Sequence, residues 1–189
     1  FRRYRSRAGL PNQPLLISTS SIALQGAIIH DYLPFLSKVM MADGMLDSPL
    51  RAVLRKGKSH YVCDARLMKR LQTANLDRKN PLAKAALLSM RDHLDLDMAP
   101  HLSGYDRERI CVPPTCDCGK TECRYLCYLD VCASERYAIQ VCNHNLLLAD
   151  AIHQGSGKRP ILPDSCAIVM DEAHKLPETA RQMFGITLA

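Results

Sequence analysis

Residues 166–176 read CAIVMDEAHKL, a compact apolar run followed at once by two acidic residues. The run 167–170 predicts a β-strand, and the polar residues after it predict the start of a helix. Ligands of open parallel sheets bind at the carboxyl ends of the strands. The stretch therefore predicts an α/β domain that places the carboxylates of Asp171 and Glu172 at the ligand-binding edge of its sheet.

A second strand–loop–helix unit lies near the other end of the chain, in PLLISTSSIALQ at residues 14–25. An apolar run predicts a buried strand, the Ser/Thr cluster predicts a loop that caps a helix, and helical spacing follows. The middle of the chain bears cysteines and reads as mostly helical. We therefore expect an α/β domain in two pieces, 1–50 and 143–189, interrupted by an insertion at about 51–142.

The remaining segments give coarser expectations. Residues 43–51 and 99–122 read as loops because turn residues interrupt them, and residues 81–96 read as an amphipathic helix. Residues 124–151 are periodic again, which predicts helix with a break near Asn143.

Composition limits the class of protein without deciding its function. The 189 residues are 47% hydrophobic and 23% charged, which is ordinary for a globular domain. We expect no membrane span, because no run of about eighteen apolar residues occurs. The net charge of +6 is compatible with a polyanionic partner. The first residue is not Met, so we expect a piece of a longer protein.

Adjacent carboxylates at a strand's end have a defined use in nucleoside triphosphatases. One holds the magnesium ion on the β- and γ-phosphates, and the other orients or deprotonates the attacking water. His174 could sense the γ-phosphate. The alternative is that Asp171 and Glu172 only open a helix, where the helix dipole favours acidic residues. GSGK at 155–158 is not a phosphate-binding loop, because the required G-x-x-x-x-G-K-[ST] spacing and preceding strand are missing.

The chain contains nine cysteines, four of them within TCDCGKTECRYLC at 115–127. With no secretion signal, such clustering favours metal or cluster ligation over disulfides. Spacing alone leaves an iron–sulfur cluster and zinc open, although no C-x-x-C pair typical of zinc occurs. Cys142 and Cys166 adjoin apolar segments and are expected in the core.

Four blocks resemble one enzyme family. The DEAHKL stretch resembles the Walker B motif of DEAH-type superfamily 2 helicases. LLISTSSIALQ is similar to motif Ia of the helicases related to DinG and to the xeroderma pigmentosum group D helicase. RKGKSHYVC at 55–63 and CNHNLLLAD at 142–150 resemble the segments that flank this family's iron–sulfur insertion. The blocks occur in the family's order over residues 14–176.

The resemblance implies part of a RecA-like motor domain interrupted by a mostly helical iron–sulfur domain. The parent would be an ATP-dependent 5′-to-3′ DNA helicase of repair or replication, in which Asp171 holds Mg²⁺ with ATP, Glu172 activates water and His174 assists. A [4Fe-4S] cluster is expected on four thiolates. Its implied ligands are Cys63, Cys118, Cys123 and Cys127, with Cys116 as the main substitute and Cys111 and Cys132 as weaker ones.

The resemblance also implies contact with single-stranded or forked DNA, in which the iron–sulfur domain engages the single strand. Hydroxyls of Ser18 and Thr19 and the cations of Lys56 and Lys58 are the expected contacts, with Arg55 in the same basic run. The alternative is that the hydroxyls only cap a helix and that the basic run is a solvated face. His144 is expected to have a hydrogen-bonding structural role.

The further expectations concern the setting of the protein. We expect a monomer without membrane attachment that binds DNA and ATP in the bacterial cytoplasm, at the nucleoid. These residues contain no Walker A lysine, so we expect no ATP hydrolysis by this chain alone. The competing function is a non-enzymatic nucleic-acid-binding or redox-sensing module stabilised by zinc or a cluster.

Overall fold

The computed structural model describes residues 13–74, 81–116, 123–134 and 136–185. Its contacts divide the chain into two compact units. The sheet unit comprises residues 1–56 and 132–189, and the inserted unit comprises residues 57–131. The expected insertion, 51–142, is wider than the inserted unit, because the chain forms a sheet strand on each side of residues 57–131.

The sheet unit is built on four parallel strands, in agreement with the predicted α/β class. The strands are β1 (Leu15–Ser18), β2 (Ala52–Leu54), β3 (Ile139–Cys142) and β4 (Ala167–Met170), in the spatial order β2-β3-β1-β4. The last residue of β1, Ser18, pairs with Cys142 of β3 and with Met170 of β4. The three carboxyl ends therefore lie level at one edge of the sheet.

The helices of the described residues alternate with these strands and fill the inserted unit. They are α1 (Ile22–Ala27), α2 (Leu33–Ala42), α3 (Asp64–Ala74), α4 (Pro81–Ser89), α5 (Gly104–Ile110), α6 (Arg124–Ala133), α7 (His144–Gly155) and α8 (Leu176–Phe184). No helix in these described ranges has the length and apolar composition needed to span a membrane.

Helix α1 begins where the sequence predicts it. The Ser21 side chain accepts a hydrogen bond from the backbone N–H of Leu24, which confirms a hydroxyl cap. A π-helical turn, Ile28–Tyr32, joins α1 to α2. It lies just before Pro34, whose ring lacks an N–H and would clash with a carbonyl of a regular preceding turn, so the widened turn relieves that conflict.

Strand β3 corrects the prediction of helix over 124–151. Helix α6 ends at Ala133, β3 follows at Ile139–Cys142, and α7 starts only after Asn143. All of β3 is buried in the middle of the sheet. A strand buried on both faces has no alternation of polar and apolar residues, so periodicity alone does not distinguish it from a helix. The predicted break near Asn143 is confirmed, because Asn143 caps α7.

The inserted unit has its own apolar core. Its main cluster contains Val62, Leu67, Leu87, Met90, Leu96, Ala99, Leu102 and Ile110. Helix α4 ends at Ser89, earlier than the predicted 81–96 helix. The expected loop at 99–122 contains α5, which Ser103 caps through the N–H of Asp106. Pro and Gly residues around a short helix led to the loop prediction.

The core of the sheet unit lies around β1 and β3. Leu16 packs with Cys142, Leu146 and Leu162, while Val141 and Ile139 pack with Leu33 in a second cluster. Strand β4 lies at the edge of the described sheet, and all four of its residues are exposed.

Candidate functional site

The loop after β1 contacts both predicted catalytic carboxylates. The backbone N–H of Asp171 donates to the Ser18 carbonyl at 2.8 Å, which extends the β1–β4 pairing by one residue. Thr19 Oγ1 donates to Asp171 Oδ2 at 2.9 Å. Ser20 Oγ donates to Glu172 Oε2. Two consecutive hydroxyls therefore hold the two consecutive carboxylates, because the carboxyl ends of β1 and β4 are neighbours.

Glu172 occupies a left-handed backbone conformation, with φ of 48°. It is the one non-glycine residue with positive φ in the described part of the chain. Such a conformation costs on the order of 1–3 kcal/mol and is found most often at functional sites. Lys175 Nζ contacts Glu172 Oε1 at 2.9 Å, so both carboxylate oxygens of Glu172 have a hydrogen-bond donor.

These contacts lower the pKa of Glu172. The hydrogen bond from Ser20 has the largest effect, and the hydrogen bond from Lys175 acts in the same direction. The charge of His174, an exposed residue of the following turn, also favours the ionised carboxylate. Glu172 is therefore held as a carboxylate anion that accepts hydrogen bonds.

Ser18 lies in the interior beside His144. Ser18 Oγ and His144 Nδ1 are 2.7 Å apart, and both residues are buried. This contact agrees with the expected hydrogen-bonding role of His144. Cys142 is also fully buried, as predicted, and burial raises the pKa of its thiol to about 11, against the opposing effect of a hydrogen bond with Ser18.

The predicted nucleic-acid contacts differ in their access to solvent. Ser18 and Thr19 are 0% exposed and have the partners described above. Lys56 is half-buried, while Lys58 is exposed and its ammonium group donates to the Pro114 carbonyl. Contact between these four residues and DNA stays a prediction.

Arg55 corrects the expectation that the whole basic run 55–58 faces DNA. It is buried, and its guanidinium donates to Gln140 Oε1 at 2.9 Å and to the Ile161 carbonyl at 2.8 Å. Gln140 Nε2 in turn donates to the Cys132 carbonyl at 2.7 Å. Arg55 therefore belongs to a buried hydrogen-bond network of the sheet unit, and this network also includes the backbone carbonyl of Cys132.

The residues that follow two predicted cluster ligands in the sequence contact each other in the inserted unit. Asp64, which follows Cys63, accepts a hydrogen bond at 2.8 Å from Nε of Arg124, which follows Cys123. Cys127 lies one helical turn after Cys123 and donates its backbone N–H to the Cys123 carbonyl. The segments that carry Cys63, Cys123 and Cys127 therefore meet at the start of α6.

The described cysteines do not by themselves form a complete ligand set. Cys63 is buried among Tyr61, Val112, Tyr125 and Tyr128, whereas Cys116 and Cys127 are exposed. Among described residues, no group of three or more Cys, His, Asp or Glu side chains is close enough to hold a metal ion. Cys118 lies outside the described residues. No disulfide joins any two of the eight described cysteines.

The sulfur of Cys111 has contacts within the inserted unit. It lies 3.3 Å from the Glu108 carbonyl and 3.8 Å from Arg66 Nη1. Cys166, which was expected in the core, is half-buried, and its thiol contacts the Pro14 carbonyl at 3.3 Å.

The GSGK stretch at 155–158 follows a helix. Helix α7 ends at Gly155, and Gly157 has the positive φ of a tight turn. A phosphate-binding loop instead follows a strand and opens a helix. This geometry supports the rejection of GSGK as a Walker A motif.

Ser20 is a site residue that the sequence pattern places only in the Ser/Thr cluster before α1. Its bond to Glu172 joins positions 152 residues apart. The sequence does predict that both residues follow parallel strands, whose carboxyl ends lie at one edge of the sheet. The contact between Ser20 and Glu172 also depends on β1 and β4 being neighbours, which the sequence does not show.

Curated proteins similar to this chain are DNA helicases by name, and no protein-family model matches the chain. ATP-dependent DNA helicase YoaA of Escherichia coli K12 is 29% identical over 98% of this chain, and YoaA of Haemophilus influenzae is 28% identical over 92%. ATP-dependent DNA helicase DinG of Photobacterium profundum is 27% identical over 90%.

The chain spans 30%, 28% and 26% of the lengths of these three relatives. The alignments include almost the whole of this sequence, so the similarity extends beyond the four short blocks that first suggested it. The resemblance of this chain to helicases of the DinG and YoaA type is therefore confirmed.

Proposed function

We propose that this chain forms part of an ATP-dependent DNA helicase of the DinG type, in which the parallel sheet is a RecA-like motor domain. The main support is the position of two carboxylates, Asp171 and Glu172, at the carboxyl end of β4. Hydroxyls of the loop after β1 donate hydrogen bonds to both. The names of the similar proteins support the same activity. The parent protein would work on DNA in the bacterial cytoplasm, at the nucleoid, in repair or replication.

The two carboxylates are proposed to have different roles. Asp171 would hold the Mg²⁺ that accompanies ATP, and that ion would neutralise charge on the phosphates. Glu172 would activate the attacking water chiefly by orienting it, because a lowered pKa makes its carboxylate a weaker base. His174, exposed beside them, would assist in coupling hydrolysis to movement.

The inserted unit is proposed to carry a [4Fe-4S] cluster on Cys63, Cys118, Cys123 and Cys127, with Cys116 as the alternative ligand. The Asp64–Arg124 contact beside Cys63 and Cys123 supports this ligand set. Iron and zinc analysis after anaerobic purification distinguishes the metals, and single Cys→Ser variants scored by iron content identify the ligands.

The helicase proposal is tested by ATP hydrolysis in the full-length protein that carries these residues. Asp171→Asn and Glu172→Gln should each reduce turnover by roughly 10²-fold or more, because each removes a carboxylate needed in the transition state. Glu178→Gln is the matched control, since Glu178 is an exposed acid on α8 that pairs with Arg181. Full turnover in both the Asp171 and Glu172 variants would exclude the proposed roles.

A further inference from the structure

The hydrogen bonds that hold Asp171 and Glu172 differ in their access to solvent. Thr19, which donates to Asp171, is 0% exposed, whereas Ser20, which donates to Glu172, is an exposed residue. Lys175, the second donor to Glu172, is exposed as well. At the surface, water and ligands compete for the same donors. The contact with Asp171 is therefore fixed by the fold, while the contacts with Glu172 are open to competition.

The hydroxyls on either side of Thr19 and Ser20 have structural partners of their own. Ser18 Oγ lies 2.7 Å from His144 Nδ1 in the interior, and Ser21 Oγ accepts the Leu24 N–H at 3.2 Å as the cap of α1. These contacts keep the loop after β1 in place at both of its ends. Ser20 can therefore change its partner while the fold of the loop remains.

The hydroxyl of Ser20 can serve one acceptor at a time. A serine side chain carries a single O–H donor, and here Glu172 Oε2 accepts it. Phosphate oxygens of a nucleic-acid strand accept hydrogen bonds from serine hydroxyls in the same way. Donation from Ser20 to a backbone phosphate therefore requires that its bond to Glu172 is broken.

The bond from Ser20 restrains Glu172 in two ways. It is the largest cause of the lowered pKa of Glu172, and a carboxylate of lower pKa is a weaker base towards water. It also helps to hold Glu172 at φ of 48°, a backbone conformation that persists only where surrounding contacts maintain it. Loss of this donor therefore makes Glu172 a stronger base and lets its backbone relax.

We propose that Ser20 couples strand binding to ATP hydrolysis by exchanging partners. Without a strand, Ser20 donates to Glu172 and holds the carboxylate in a resting arrangement. When a backbone phosphate of a single strand accepts from Ser20, Glu172 is released to take the attacking water. The strand stimulates hydrolysis because it binds the released arrangement in preference to the resting one. This coupling rests on the proposed function, which supplies ATP and DNA as the ligands.

The test is ATP hydrolysis by the full-length protein that carries these residues, measured with and without saturating oligothymidylate. Ser20→Ala should raise the strand-free rate by up to about tenfold, because one hydrogen bond of ordinary strength no longer holds Glu172. The rate with strand should stay close to that of the unmodified protein, so the ratio of the two rates falls. Ser20→Thr, which keeps the hydroxyl, should retain the original ratio.

Two further variants serve as controls. Lys175→Gln removes the other donor to Glu172 but leaves Ser20 in place, so stimulation by the strand should persist. Ser59→Ala removes an exposed hydroxyl of the inserted unit and should change neither rate. Anisotropy of a labelled oligothymidylate shows that each variant is saturated with strand, and thermal unfolding monitors the fold.

An unchanged ratio of the two rates in Ser20→Ala would overturn the proposal, because Ser20 would then only position Glu172. Equal rates with and without strand in the unmodified protein would overturn it as well. Failure of the proposed function is a separate outcome, in which Asp171→Asn and Glu172→Gln keep full turnover. Loss of turnover in those two variants, together with an unchanged ratio in Ser20→Ala, would reject the role of Ser20 alone.

Discussion

Glu172 combines an unusual backbone with a fully hydrogen-bonded carboxylate. Its positive φ turns the chain sharply after β4, and the side chain returns to meet Ser20 and Lys175. Both contacts favour the anion, so the pKa of Glu172 is lowered. The ionised form therefore contributes to stability above the ordinary pKa of 4.5, and that contribution is lost as the pH falls through the lowered pKa.

Replacing Ser20 by Ala should raise the pKa of Glu172 towards 4.5, because the largest cause of the lowering is removed. The titration midpoint can be followed by ¹³C NMR of the carboxyl carbon. Ser59→Ala is the control, since Ser59 is exposed and lies in the inserted unit. An unchanged midpoint in Ser20→Ala would show that Ser20 does not hold Glu172 in solution.

At the scale of elements, helix α7 shows how one residue starts a helix at the sheet edge. Asn143 follows β3 directly, and its Oδ1 accepts the Leu146 N–H at 2.8 Å. The next residue, His144, then lies in the interior beside Ser18 of β1. The cap therefore fixes the point at which the chain leaves the sheet and also the position of a buried polar contact.

Asn143→Ala should lower the free energy of unfolding by about 1 kcal/mol, because the N–H groups of the first turn lose their cap. Asn143→Asp should restore most of the loss, since Asp is an equally good cap. Urea unfolding measures both. Asn145→Ala, at an exposed position of the same first turn, is the control; an equal loss there would point to a general effect in this turn instead of a cap.

At the scale of the whole molecule, the chain contains two compact units, each with its own apolar core. The sheet unit is assembled from residues before and after the inserted unit, because β1 and β2 precede residue 57 and β3 and β4 follow residue 131. Separate cores predict that a cavity made in one unit reduces the protection of that unit first.

Leu67→Ala tests this independence, because Leu67 is 2% exposed in the main cluster of the inserted unit. The substitution should cost roughly 2–5 kcal/mol through lost burial and the cavity left behind. Hydrogen exchange should accelerate in residues 81–110 well before it does in β3. The neighbouring Met68→Ala, at a residue 49% exposed, should change exchange little. Equal acceleration in both units after Leu67→Ala would show a single cooperative core.

Local features of the fold could be predicted from short stretches of sequence. The apolar run before Asp171, the hydroxyl cap of α1 and the break at Asn143 could be predicted because each depends on a few adjacent residues. The resemblance to DinG-type helicases likewise came from the order of short blocks, and the relatives confirm it. The position of Asp171 and Glu172 at one edge of the sheet was also predictable, since parallel strands place their carboxyl ends together.

Contacts between residues far apart in the chain are visible only in the folded protein. The pairing of β1 with both β3 and β4 brings Thr19 and Ser20 to Asp171 and Glu172. The same pairing buries β3 on both sides. Its sequence therefore lacks the alternation of an ordinary strand, and the pattern predicted a helix there. Arg55 is buried because β2 pairs with β3, which brings its guanidinium to Gln140. Such contacts depend on strand order and helix packing over more than thirty residues of chain separation, and local patterns of polarity do not encode them.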